Sequence, residues 1–150
     1  MKKLKNPVFL IFILLFSCTK ESKNIPALFQ LLSPEETGIE FRNDLNYTEQ
    51  VNPYTFRNFY NGAGVALGDI NNDGLLDIFF AGNQTSNKLY LNEGNLKFKD
   101  ITQEAGLNSS GSWSTGVSMA DVNNDGLLDI FVCKSGPQEG DKRHNELFIN

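Results

Sequence analysis

Asp69, Asn71, Asp73 and Asp77 place oxygen-bearing side chains at positions one, three, five and nine of a short segment, with Gly74 directly after the third. Asp121, Asn123, Asp125 and Asp129, with Gly126, repeat the arrangement 52 residues further on. The chemistry such sets can do is coordination of a hard divalent cation. Ca²⁺ takes about six to eight oxygens at roughly 2.3–2.6 Å, and alternate residues of a tight loop can aim oxygens at one centre. The backbone carbonyls of Leu75 and Leu127, at position seven, would add a ligand each, and water would complete the shell. Glycine after position five accepts the positive φ that a sharp turn demands. With neither thiolate nor imidazole in either set, zinc and copper are poor candidates. The expected cofactor is therefore Ca²⁺, one ion per loop. An Asx-rich turn that binds nothing is the alternative, because Asn, Asp and Gly are ordinary turn residues; two complete sets in register favour the ion.

The elements that must position these ligands are strands. Asn71 to Phe79 recurs without change as Asn123 to Phe131. An EF-hand starts the same way but needs a bidentate acid at position twelve and a helix after it. Here position twelve is Phe80 or Val132. The segment leaving each loop, Leu76-Asp77-Ile78-Phe79-Phe80 or Leu128-Asp129-Ile130-Phe131-Val132, is β-branched and aromatic and reads as a strand. Gly64 to Asp69 and its counterpart Gly116 to Asp121 read as the strands leading in.

Leu89-Tyr90-Leu91-Asn92 matches Leu147-Phe148-Ile149-Asn150 at a spacing of 58 residues, the extra length falling in a polar loop over 134–145. A fourth strand, Phe98 to Thr102, closes the first unit. About four short antiparallel strands over some fifty residues is the signature of a β-propeller blade. The expected fold class is all-β: propeller blades over 60–112 and 113–150, the second short of its fourth strand, in an incomplete propeller. Closing a ring takes about four to eight blades, so the chain reads as the N-terminal part of a longer protein.

Gly62-Ala63-Gly64-Val65-Ala66-Leu67-Gly68-Asp69, the loop from Ile70 to Asp77, and the second copy up to Asp129 resemble the FG-GAP/VCBS repeat family, whose blades occur in integrin α-subunit propellers and in secreted bacterial proteins. The resemblance implies Ca²⁺ ligation by Asp69, Asn71, Asp73, Leu75 and Asp77, and by Asp121, Asn123, Asp125, Leu127 and Asp129. Asn at position three, where many members of the family carry Asp, implies weaker affinity. The layout around Tyr60-Asn61-Gly62-Ala63-Gly64 and Trp113-Ser114-Thr115-Gly116 is similar to bacterial lipoproteins related to cartilage acidic protein. Those commonly continue into an ASPIC/UnbV domain, of which nothing is seen in this sequence.

The start of the chain carries an address. Lys2, Lys3 and Lys5 precede nine unbroken apolar residues, Val8 to Phe16, too few for a spanning helix of about 20 residues and suited to a secretory leader. Leu15-Phe16-Ser17-Cys18 resembles a bacterial lipobox, which implies a signal peptide over 1–17, lipid on the Cys18 sulfur, a tether over 18–27 and an outer-membrane lipoprotein facing the periplasm or the cell surface. Loss of the leader takes the net charge from −5 to near −8, with six of eighteen acids in the two loops. That acidity argues against nucleic acid as partner. Cys133 then has no partner in the chain and reads as a small buried strand residue.

Residues 28–59 read as an N-terminal strand or extension. Phe29 to Glu35 parallels Phe98 to Glu104, and Gly38-Ile39 parallels Gly106-Leu107, so 28–42 is expected to be an outer strand that completes the last blade of a ring. The only histidine, His144, lies in a polar loop with no nucleophile near it in sequence, which points away from catalysis. Trp113, Tyr60 and Phe59 fit core packing better than a sugar platform. The function expected is a calcium-binding, membrane-anchored propeller module that binds a protein or glycan at the cell envelope. The alternative is the scaffold of a secreted polysaccharide-processing or other enzyme whose catalytic residues lie beyond 150.

Overall fold

A computed structural model describes residues 27–107, 113–136 and 143–150. The leader, Cys18 and nearly all of the tether lie outside these residues. The chain divides into two compact units, Met1–Leu31 and Leu32–Asn150. Of the first, only residues 27–31 are described, and they carry no regular secondary structure. Among the described residues no helix is long and apolar enough to cross a membrane.

The regular secondary structure described in the second unit is nearly all strand. After one helical turn, α1 (Pro34–Thr37), come β1 (Val65–Gly68), β2 (Asp77–Phe80), β3 (Lys88–Asn92), β4 (Phe98–Asp100), β5 (Ser114–Ala120), β6 (Asp129–Lys134) and β7 (Glu146–Phe148). They form a four-stranded sheet in the order β1-β2-β3-β4 and a three-stranded sheet in the order β5-β6-β7. Every pairing is antiparallel, and each aspartate loop joins the first two strands of its sheet. The all-β, blade-like reading of the sequence is what the chain adopts.

Side chains alternate between the two faces of a strand, so the register sorts each sheet into two surfaces. One face of the first sheet carries Ala66, Phe79 and Leu89; the other carries Ile78, Phe80 and Tyr90. In the second sheet Val117, Met119, Ile130, Val132 and Phe148 share a face. That face packs on Phe79, Leu89 and Ala66, with Leu107 completing the core between the sheets. β1 and β5 approach so closely that a Cβ on Gly64 would lie 2.9 Å from the Val117 nitrogen, and one on Gly68 would lie 2.7 Å from the Leu128 Cδ1 and Met119 Sδ. Glycine is needed for space at Gly64, where the neighbour is backbone, whereas at Gly68 the ends of the Leu128 and Met119 side chains could give way.

The opposite face of the first sheet is partly covered by the segment after α1. Phe41 stacks on Phe80 with centroids 4.9 Å apart, and Phe80 meets Tyr90 edge-on at 5.8 Å. The Glu40 amide donates to the Tyr90 hydroxyl at 3.2 Å. The expected strand over 28–42 is not formed. Ser33-Pro34-Glu35-Glu36 is instead a capping box: the Ser33 hydroxyl accepts from the Glu36 amide while the Glu36 carboxylate accepts from the Ser33 amide. Proline at the first helical position and Gly38 at φ 80° end the extended run before it can reach residue 42. A strand also needs a partner edge, and the described residues preceding α1 have none.

Trp113 and Phe59 are buried, in line with core packing, whereas Tyr60 is exposed. Cys133 is a free cysteine on β6, half-buried rather than fully enclosed. His144 is exposed.

Candidate metal centre

The two aspartate loops have one geometry, bond for bond. In the first, the Asp73 amide donates to Asp69 Oδ1 at 3.0 Å and to Asn71 Oδ1 at 3.2 Å. The Gly74 amide donates to Asp69 Oδ2 at 2.8 Å, and the Leu75 amide to Asp73 Oδ1 at 2.8 Å. In the second, the Asp125 amide reaches Asp121 Oδ1 and Asn123 Oδ1, both at 3.1 Å. Gly126 and Leu127 donate to Asp121 Oδ2 and Asp125 Oδ1, each at 2.9 Å. Gly74 and Gly126 stand at φ 87° and 89°, as the turn requires. The Asp125 carboxyl is held below the usual carboxylate range by the Leu127 amide first and the Asn123 side chain second.

Position nine plays a different part from positions one, three and five. Asp77 is fully buried; its Oδ2 accepts from the Ile70 amide at 3.0 Å and its Oδ1 from the Asn92 amide at 2.8 Å. Asp129 does the same with Val122 at 2.9 Å and Asn150 at 3.0 Å. These carboxylates tie the loop entry to the third strand of each sheet, as charge-assisted bonds that are short and strong. Asp69 and Asn71 converge on the Asp73 amide, and Asp121 and Asn123 on the Asp125 amide, while residues 71–76 and 121–126 are exposed. Among the described residues no three acidic, histidine or cysteine side chains are gathered as a metal site. The donor set nevertheless suits a hard cation: it is all oxygen, two carboxylates and an amide side chain crowd one exposed turn, and a third carboxylate braces them from below.

Sequence reasoning passed over several asparagines that shape these loops. Asn72 and Asn124, between the ligand positions, have φ 58° and 63°, a conformation that Asn tolerates far better than most residues. Their identity in both copies was the available signal. The Asn72 side chain also donates to the Gly126 carbonyl at 3.1 Å, and Asn150 Nδ2 donates to the Ile70 carbonyl at 2.7 Å, so the two loops are joined to each other. At the other end of the sheets, buried Asn83 donates from Nδ2 to the Gly62 and Ser114 carbonyls, each at 3.0 Å. Its Oδ1 accepts from Asn43 at 2.7 Å. Nothing in its neighbourhood in the sequence marks Asn83 as such a junction.

Away from the loops, Lys88 and Asp100 pair across the outer strands at 2.7 Å. The hydrogen bond from Lys88 to Asp100 raises the lysine above its ordinary range. Burial pushes Asp100 up, but its bonds to Lys88 and Thr102 outweigh that and leave it lowered. Nothing about this exposed pair suggests chemistry beyond holding β3 against β4.

A four-stranded and a three-stranded antiparallel sheet, each with an aspartate loop between its first two strands, define the described residues as all-β and blade-like. Residues 69–132 match the family model described as FG-GAP-like repeat. The chain is similar to cartilage acidic protein 1 of Xenopus tropicalis, at 38% identity over 69 residues that make up 46% of this chain and 11% of that protein. The protein of the same name from Mus musculus gives the same figures. That of Homo sapiens is 33% identical over 93 residues, 62% of this chain and 13% of the relative. The chain thus spans little more than a tenth of the length of the curated relatives it matches.

Proposed function

We propose that the chain forms part of a calcium-stabilised β-propeller module that binds a protein or glycan ligand and is anchored by lipid at Cys18 to the bacterial outer membrane. The observation that carries the calcium reading is the bond-for-bond repetition of the two loops, each with the oxygens of three side chains gathered at one exposed turn. Asp69, Asn71, Asp73 and the Leu75 carbonyl would hold the ion in the first loop, with Asp77 beneath them; Asp121, Asn123, Asp125, the Leu127 carbonyl and Asp129 would do so in the second. A bound cation would neutralise the clustered carboxylates and lock the turn between two strands. Its role is structural, because the same loops lie side by side and hold neighbouring sheets together.

A binding role, rather than a catalytic one, is supported by the FG-GAP-like repeat and by the use of the loop carboxylates in fixing backbone. The leader pattern, ending in Leu15-Phe16-Ser17-Cys18, supports export and lipidation. The test of the metal reading is thermal melting in calcium and in chelator. Calcium at a hundred times its dissociation constant should stabilise the fold by about 2.7 kcal/mol per site, and Asp73→Ala together with Asp125→Ala should abolish the shift. Identical melting of the wild type in calcium and in EDTA would rule the proposal out.

A further inference from the structure

The two aspartate loops touch. The Asn72 side chain donates from Nδ2 to the Gly126 carbonyl at 3.1 Å, across 54 positions of sequence. Asn72 lies in the first loop between ligand positions three and five, and Gly126 lies in the second between positions five and seven. We propose, resting on the calcium reading above, that Asn72 is a positioning residue for the second loop and that the two loops take up Ca²⁺ with positive cooperativity through it.

The bond lands on a peptide that the second loop needs. The Gly126–Leu127 peptide gives its N–H to Asp125 Oδ1 at 2.9 Å, while its oxygen takes the Asn72 donor. The Gly126 amide itself donates to Asp121 Oδ2 at 2.9 Å. A donor from outside that fixes this peptide therefore fixes the Asp125 carboxylate, and with it the run into the Leu127 carbonyl. Asn72 can hold the peptide only when its own backbone is held. It stands at φ 58°, which few non-glycine residues adopt, in an exposed turn closed by the side chains of Asp69, Asn71 and Asp73. An ion held by those three side chains would steady the turn, so that the second loop is partly ordered before its own ion arrives. A first ligand that removes the ordering cost of the next is positive cooperativity. By linkage the second loop favours filling of the first by the same factor.

A second tie, from Asn150 Nδ2 to the Ile70 carbonyl at 2.7 Å, keeps the loops side by side. It joins ends that buried Asp77 and Asp129 already brace through the Ile70 and Asn150 amides, so it does not wait on an ion. Repulsion between the ions is the opposing effect. Each loop sets three carboxylates against two positive charges, so a filled loop keeps a negative balance and does not repel the next cation.

The test is equilibrium dialysis of the 150-residue chain against radiolabelled Ca²⁺, reading bound ion against free ion. Independent sites give a Hill slope of one or less, whereas coupling on the order of tenfold between two sites gives about 1.5. The wild type should bind one ion per loop with a slope near that value. Asn72→Gly keeps a residue that accepts positive φ and removes the donor. It should still bind one ion per loop, with the slope reduced to one. Asn124→Gly makes the same change at the matching position of the second loop, also at positive φ, whose side chain is not the one that joins the loops. It should keep the wild-type slope. A wild type that binds one ion per loop with a slope of one or less overturns the coupling and leaves the calcium reading intact, whether or not the variants fold. A slope that Asn72→Gly leaves unchanged, or that Asn124→Gly lowers equally, overturns it as well. A wild type that takes up no Ca²⁺ overturns both.

Discussion

The two repeats share nine consecutive residues and an identical loop, yet their sheets differ in what they bury. Phe79 and Leu89 are 0% and 1% exposed, while their counterparts Phe131 and Leu147 are 39% and 50% exposed. Gly68, which lies within van der Waals reach of Leu128 and Met119, corresponds to Ala120, which is exposed and has room for its methyl. The loops are the same because they are closed by bonds between residues no more than seven apart, apart from the tie to the third strand. The sheet faces differ because burial depends on a neighbour: the first sheet has the second stacked on it, and the second has none on its matching face among the described residues. Identical sequence therefore fixes the loop geometry locally and leaves the core to packing.

The largest expected effect tests that asymmetry. Phe79→Ala should cost about 3–5 kcal/mol, as for a large side chain removed from a packed core. Phe131→Ala should cost no more than about 1 kcal/mol in dilute solution. Urea unfolding of the two variants measures the difference; equal losses would show that the repeats are packed alike.

The next effect is an expected equality. Asp77→Asn and Asp129→Asn each set an amide group against one of two buried backbone N–H donors, at about 2–3 kcal/mol. Denaturation in chelator should give the same loss for both, whereas Asp73→Ala under those conditions should cost far less. A large gap between Asp77→Asn and Asp129→Asn would mean that the loops are less alike than their hydrogen bonds indicate.

The smallest effect concerns Gly38 and Gly106, two of the positive-φ glycines, at φ 80° and 71°. Gly106→Ala meets no atom within 4 Å and should cost only the conformational term of about 1 kcal/mol. A Cβ at Gly38 would lie 2.3 Å from the Phe98 carbonyl oxygen, so Gly38→Ala should also loosen the segment that covers Phe80. Faster hydrogen exchange at the Glu40 amide in Gly38→Ala, unmatched by any change there in Gly106→Ala, is the expected readout.

Much of this architecture was legible in the sequence. The strand–loop–strand unit came from a turn motif flanked by β-branched and aromatic residues, and the repeat spacing set the blade. Residues 28–42 read wrongly as a strand because two signals conflict there: a strand-like parallel with Phe98 to Glu104 and a capping box at Ser33 to Glu36. The capping box is satisfied within four residues, while the strand needs an edge from elsewhere, so the local signal won. Asn83 could not be read at all, because its partners Asn43, Gly62 and Ser114 lie 21 to 40 residues away along the chain.

By itself the sequence determined the loops, the strands beside them and the all-β class, since each depends on hydrogen bonds and backbone preferences that close over a few residues. Only the tertiary structure decided that Asp77 and Asp129 point inward as braces, that Phe79 is core while Phe131 is surface, and that the two loops are joined through Asn72 and Asn150. Those outcomes depend on which surface comes to lie against which, and no spacing along the chain encodes the contact between two sheets.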